Sequence, residues 1–248
     1  MEQVSLHLID VTGFTLRDGT RSADWFADAL AALDISDRVR LIVHDGIEES
    51  LPDPADCCDY GRGVVVSGSY GPVYQEKPWI PPLIDFIREV HVRGGWFLGV
   101  CFGHHALALA LGGEVEPNPR GREMGTVSIE LTPEGERSPL LAGMRSGDTV
   151  NLIHRTHVSR MPDGAVRLAF NGMTPVQSFQ AGHSFGYQPH PELTPNQLRM
   201  LTELYGHVLV RVEHFLEDGE HLEAFKESFE ETPSSMAVLK NFALLTLS

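Results

Sequence analysis

Apolar residues in this chain fall into two spacings, short runs and helical repeats, and the alternation between them predicts the fold. Leu6–Ile9, Arg40–His44, Gly63–Val66 and Trp96–Val100 are short apolar runs bounded by polar residues, glycine or proline, and they read as strands. The β-branched run at Val64–Val66 suits a parallel strand buried on both faces. Between the runs, Arg21 to Leu33 repeats apolar residues at helical spacing through Trp25, Phe26, Ala29, Leu30 and Leu33. Pro78 to Arg93 is a second helix, with Pro81 and Pro82 tolerated in its first turn, and Ala106–Leu111 begins a third. Leu51–Tyr60 is a Pro/Asp-rich connection, and Ser67–Pro72 is a loop at the carboxyl end of the third strand. The order β-α-β-β-α-β-α predicts an α/β fold, an open and mostly parallel sheet with helices on both faces. Sites in such sheets lie at the carboxyl ends of the strands.

After Gly112-Gly113 the spacing changes to short strands separated by Gly, Pro, Asn and Asp: Val115–Glu116, Thr126–Leu131, Thr149–Ile153, Val166–Phe170, Val176–Gln180 and Ser184–Gln188. These predict a smaller antiparallel section. From Pro195 the chain is helical, over Asn196 to Phe215, Glu220 to Glu231 and Ser235 to Leu247. With no repeat and no linker composition, residues 1–248 are expected to form one domain, with about 206–248 as a helical C-terminal extension. The acidic stretch Glu213–Glu231 carries an apolar stripe of Phe215, Leu216, Leu222, Phe225 and Phe229. That stripe either packs against the domain or forms a homodimer contact or partner dock.

Composition narrows the function classes. The chain has 248 residues, 42% hydrophobic, and a formal net charge of −15. A field of that sign repels nucleic acid and anionic lipid, so neither is an expected partner. No apolar run approaches the roughly 20 residues of a membrane span. The three cysteines, Cys57, Cys58 and Cys101, form no paired framework, which suits a reducing, cytoplasmic compartment.

Two segments carry chemistry. Gly99-Val100-Cys101-Phe102-Gly103 follows an apolar strand and precedes a helix, the context of a nucleophile elbow with sulfur in place of a serine oxygen. The glycines on either side allow a sharp turn and close passage of neighbouring chain. A thiol there meets the positive end of a helix dipole, which favours thiolate. A buried core cysteine is the plainer reading of Cys101 alone. Downstream, Gln188-Pro189-His190-Pro191-Glu192 places an imidazole and a carboxylate two residues apart. The flanking prolines favour an extended backbone, in which i and i+2 point the same way. A thiol needs a base and the base needs an orienting partner, and both are here.

Val65–Ser69, Pro78-Trp79-Ile80, Leu98–His104, Ala110–Gly113 and Gly186–Glu192 together resemble the class I glutamine amidotransferases, over roughly residues 4 to 205. The similar branch is that of stand-alone proteins akin to the glutaminase domain of GMP synthase. The resemblance implies that family's flavodoxin-like fold and a Cys101–His190–Glu192 triad acting on the γ-carboxamide of glutamine or of a γ-glutamyl amide. It implies an oxyanion hole from the backbone N–H groups of Phe102 and Ser69, with Gly68 supplying the freedom for that turn. It requires no cofactor and no metal. Two positions depart from the family pattern. His105 stands where the family usually has Gln, and Thr156 follows His154 where it often has Asp. His105, Ile153 and His154 are therefore the expected substrate-binding residues, and the identity of the substrate is open at these positions.

Three function classes remain distinct. One is an amide-hydrolysing enzyme, either self-sufficient or a glutaminase feeding ammonia to a separately encoded synthase. A second is a non-catalytic binding module on the same fold. A third is a metalloenzyme, disfavoured because His104-His105 and His154 with His157 match no zinc spacing, and the His154/His157 pair reads better as hydrogen-bonded loop structure.

Overall fold

The computed structural model describes residues 3–13, 15–16, 19–48 and 51–248. In chain order its strands begin with β1 (Val4–Asp10), β2 (Val39–Asp45), β3 (Arg62–Val66), β4 (Trp96–Val100), β5 (Glu114–Pro117) and β6 (Glu123–Ser128). They continue with β7 (Glu130–Leu131), β8 (Thr149–His154), β9 (Thr156–Arg160), β10 (Val166–Phe170), β11 (Ser178–Ala181) and β12 (Ser184–Tyr187). The helices are α1 (Ser22–Ala31), α2 (Ile80–Val92), α3 (Phe102–Ala110), α4 (Pro133–Arg137), α5 (Pro195–His207), α6 (Gly219–Glu227) and α7 (Pro233–Leu245).

One eight-stranded sheet runs in the order β2-β1-β3-β4-β12-β11-β10-β7. The neighbours from β2 through β12 are parallel, and those from β12 to β7 are antiparallel. Both faces are covered, which explains the unbroken apolar runs. Val64 and Val66 pack with Leu83, Ile87 and Leu107 of α2 and α3, whereas Val65 packs with Phe26 of α1 and Leu239 and Phe242 of α7. Successive residues of a strand face opposite ways, so each needs its own hydrophobic layer. Two ribbons, β5-β9 and β6-β8, stand apart from the sheet. Among the described residues no helix is long and apolar enough to cross a membrane.

The second half departs from the expected boundaries for identifiable reasons. Thr126–Leu131 is two strands. Ile129 leaves the β6-β8 ladder to bond Asp148 O (3.1 Å) and Gly147 N (2.9 Å), and Glu130–Leu131 then joins β10. Val176 and Gln177 precede β11, with Gln177 N–H donating to Ala169 O at 2.9 Å beside a register shift. β9 and α4 were not anticipated. His154 and His157 thus lie on strands, not in loop structure. The helix expected to reach Phe215 ends as α5 at His207, passes through a π turn over Val208–Val212, and breaks at His214, whose φ is 51°.

The residues beyond 206 do two different things. The stripe of Phe215, Leu216, Leu222, Phe225 and Phe229 is turned inward, against Trp25, Met124, Leu198 and Leu201. Farther on, α7 supplies Val238, Leu239 and Phe242, all buried, to the layer beneath β1 and β3. This helix is part of the central core.

Candidate active site

Three adjacent parallel strands deliver the predicted chemistry to one place. β3, β4 and β12 end side by side, and the next residues in each case are functional candidates: Gly68-Ser69 after β3, Cys101 after β4, and His190 and Glu192 after β12. Cys101 has φ 49° and ψ −98°, a left-handed φ that is rare for a non-glycine residue. The sharp strand-to-helix turn imposes it, a strain of about 1–3 kcal/mol. The flanking glycines provide close approach. A Cβ on Gly103 would come within 2.5 Å of Val66 O, and one on Gly99 would collide with the Gly103 backbone. The left-handed residue in the elbow is the cysteine itself.

His190 and Glu192 meet through a turn, not through the extended backbone expected. Leu193 N–H donates to His190 O at 3.4 Å, with Pro191 as the first central residue of the turn, a position proline favours. His190 Nδ1 lies 2.6 Å from Glu192 Oε1, and both side chains are buried. Burial alone would pull the imidazole pKa down. The Glu192 carboxylate and the Cys101 sulfur outweigh it and push His190 up to about 10. His190 lies against Cys101 across Gly68, where a Cβ would sit 2.8 Å from His190 Cε1 and 3.6 Å from Cys101 Cβ. His190 Nε2 has no aligned hydrogen-bond partner, and the thiol is directed to Ile153 O at 3.8 Å. Such bonds are commonly loose until substrate arrives.

The Cys101, Phe102, Gly68, Ser69, His105, Ile153, His154, His190 and Glu192 positions all border one cavity of about 470 Å³. Phe102 is the first residue of α3, where a backbone N–H has no intrahelical acceptor. His105 is buried one turn further on. Its Nδ1 is 3.3 Å from Thr156 Oγ1, its Nε2 makes no aligned hydrogen bond, and burial together with His104 holds its pKa well below 6.5. His154 contacts the Thr156 carbonyl through Nδ1 (2.8 Å) and Glu123 through Nε2 (3.2 Å).

Several neighbours went unnoticed in the sequence. Glu123, 4% exposed, accepts from His154, Asn171, Thr174 and Gln177. Burial opposes its ionisation, but the His154 bond and the other donors prevail and lower its pKa. Arg122, Arg155, Glu213, Tyr70 and Tyr205 also border the cavity. Arg122 grips Glu213 bidentately at 2.5 and 2.8 Å, and Tyr70 stacks on Tyr205 with centroids 5.3 Å apart. Their sequence separation hides these pairs. Among the described residues no group of three or more His, Cys, Asp or Glu is arranged to hold a metal ion.

A family model described as Glutamine amidotransferase class-I matches residues 42–204. The chain is 30% identical over 149 residues to gamma-glutamyl peptidase 5 of Arabidopsis thaliana, covering 59% of each chain. It is 31% identical over 141 residues to a gamma-glutamyl-L-1-hydroxyisopropylamide hydrolase of a Pseudomonas species, covering 53% of this chain and 47% of that one. A GMP synthase [glutamine-hydrolyzing] of Prochlorococcus marinus matches at 33% over 136 residues, 53% of this chain and 24% of its own. The chain thus spans only about three fifths or less of these curated relatives. A solved glutamine amidotransferase from Thermotoga maritima superposes with a TM-score of 0.75 at 20% identity, over 100% of this chain and 99% of that one, and shows the same fold. With the family model matching most of its length, the chain belongs to the class I glutamine amidotransferases.

Proposed function

We propose that the protein hydrolyses the γ-amide bond of a γ-glutamyl compound, with Cys101 as nucleophile, His190 as proton carrier and Glu192 as its orienting carboxylate. The observation that carries this reading is the buried 2.6 Å His190–Glu192 pair set against a cysteine on a strained elbow. An imidazole with a pKa near 10 is protonated at neutral pH and holds a proton ready for a departing nitrogen. The thiolate attacks the γ-carbonyl carbon, and the carbonyl electron pair moves onto oxygen. The backbone N–H groups of Phe102 and Ser69 are the donors proposed to receive that charge. Collapse breaks the C–N bond, and the departing nitrogen takes its proton from His190. Water then attacks the γ-glutamyl thioester, gives its proton to His190, and glutamate leaves as the thiolate re-forms. His105, Ile153 and His154 are proposed to hold the glutamyl end.

The relatives named as γ-glutamyl peptidase and γ-glutamyl amide hydrolase support a self-sufficient hydrolase. The GMP synthase match favours a second reading, a glutaminase serving a separate synthase. Glutamate release by the purified protein, from glutamine and from a panel of γ-glutamyl amides, separates them. Turnover of the amides that disappears in Cys101→Ala supports the first. Silence toward every compound until a synthase is added supports the second.

A further inference from the structure

The cavity has a closed floor and an open mouth. Cys101, His190 and His105 are 6%, 7% and 2% exposed, whereas Tyr70 at the mouth is 69% exposed. At that mouth two arginines share one carboxylate. Arg122, with a side chain 14% exposed, is pinned by both oxygens of Glu213. Arg155, with a side chain 61% exposed, makes only a single 3.2 Å bond to Glu213. A guanidinium has five N–H donors, so most of those on Arg155 remain available. Arg155 sits at the bend between β8 and β9, two residues past Ile153, whose carbonyl faces the Cys101 sulfur. At roughly 3.3 Å per strand residue, its backbone is about 7 Å from that carbonyl's residue, within reach of an arginine side chain.

We propose that Arg155 recognises a carboxylate on the departing half of the substrate, so that γ-glutamyl amino acids and peptides are preferred to glutamine and to γ-glutamyl alkylamides. The proposal rests on the γ-glutamyl hydrolase reading above. The glutamyl half is common to every such substrate and belongs on the floor, beside the buried imidazoles. The departing amine leaves toward solvent, past Arg155. Two arginines against one glutamate give this mouth a net positive charge in a chain of net charge −15, and an anion is the ligand that such a site takes. Arg122 cannot fulfil the role without releasing a bidentate bond. Arg155 gives up one long bond and can make a two-point contact with a carboxylate.

The test compares γ-glutamylglycine with γ-glutamylethylamide, which have the same scissile bond but differ in the carboxylate. The expected preference in kcat/KM for the former is about ten- to hundredfold, the strength of a charge-assisted bond. In Arg155→Gln the two should come within about threefold, chiefly through KM, and Arg155→Lys should restore part of the preference. Calorimetric binding of both compounds to Cys101→Ala, with and without Arg155→Gln, reads the same selectivity without turnover. Selective binding that Arg155→Gln removes supports the proposal even where no hydrolysis occurs, and only the hydrolase reading then falls. Equal binding of the two compounds, or a loss in Arg155→Gln that is equal for both, overturns it.

Discussion

The floor and the mouth of the cavity are built by different means. The floor is made of residues within five positions of the ends of three neighbouring, fully packed strands, and a few adjacent residues fix each position. The mouth is assembled from the residue before β6, the β8-β9 bend, the loop after β3, the end of α5 and the chain beyond His207, joined by the bonds of Arg122 and Arg155 to Glu213 and by the Tyr70–Tyr205 stack. Burial pushes the Tyr205 pKa up, with a further rise from Tyr70, so its hydroxyl stays neutral in the wall. The proposed nucleophile and base tolerate little misplacement, and they stand at the ends of strands of the rigid sheet. The proposed selection of a leaving group needs a surface that can change without disturbing them, and side-chain contacts between distant segments suit that role.

The largest expected effect breaks the floor alone. Cys101→Ala should lower turnover by roughly 10⁴-fold or more while leaving the thermal midpoint and the mouth contacts intact. Undiminished turnover in that variant removes Cys101 from the mechanism. Glu192→Gln comes next, with kcat/KM falling about 10²- to 10⁴-fold because the imidazole loses the partner that sets its tautomer. It has a signature in stability as well. His190 is raised from 6.5 to about 10, so its stabilising contribution is complete below about pH 6.5 and is lost as pH rises through about 10. Thermal melts of the wild type should therefore fall over that window, and Glu192→Gln should lose this part of the slope. An unchanged slope would show that the carboxylate does not hold the proton on His190.

Glu123 ties the floor to the mouth, and its loss sharpens the comparison. Glu123→Ala strips an acceptor from four donors and frees His154, next to Arg155. Leaving these buried donors without their acceptor should cost several kcal/mol in a denaturant titration, at about 1–3 kcal/mol for each group left unsatisfied, while Cys101 stays where β4 holds it. If the loss is below about 1 kcal/mol, the network is not structural.

These contrasts also explain what could be read from the chain. The sheet, its covered faces and the Cys101, His190 and Glu192 positions follow from local signals: apolar runs, flanking glycines and a proline-framed His-x-Glu. Thr126–Leu131 looked like one strand because nothing local marks Ile129 as the residue that leaves one ribbon for another sheet. The burial of Phe242 in the central core has no local mark because its partners, Leu8 and Val65, are far away in sequence. The Arg122–Glu213 pair, 91 residues apart, has no local mark at all. Contacts written by short-range pattern are legible, and those decided by tertiary packing are not.

His105→Gln is the smallest and most selective of these tests, because it alters the floor where substrate identity rather than bond breaking is at stake. His105 is buried, its Nδ1 bonds Thr156, and its Nε2 makes no aligned hydrogen bond although the Gln188 side chain lies beside the ring. Held well below its usual pKa, the ring is neutral and offers one donor and one acceptor. An amide at this position offers the same pair from a more flexible stem and restores the residue that the family usually carries. The expected result is a two- to tenfold shift of relative kcat/KM toward free glutamine, about one hydrogen bond's worth, with little change in the thermal midpoint. Competition assays of glutamine against a γ-glutamyl dipeptide measure it. An unchanged ratio would place all the selectivity at the mouth, with Arg155, and leave the floor indifferent to what departs.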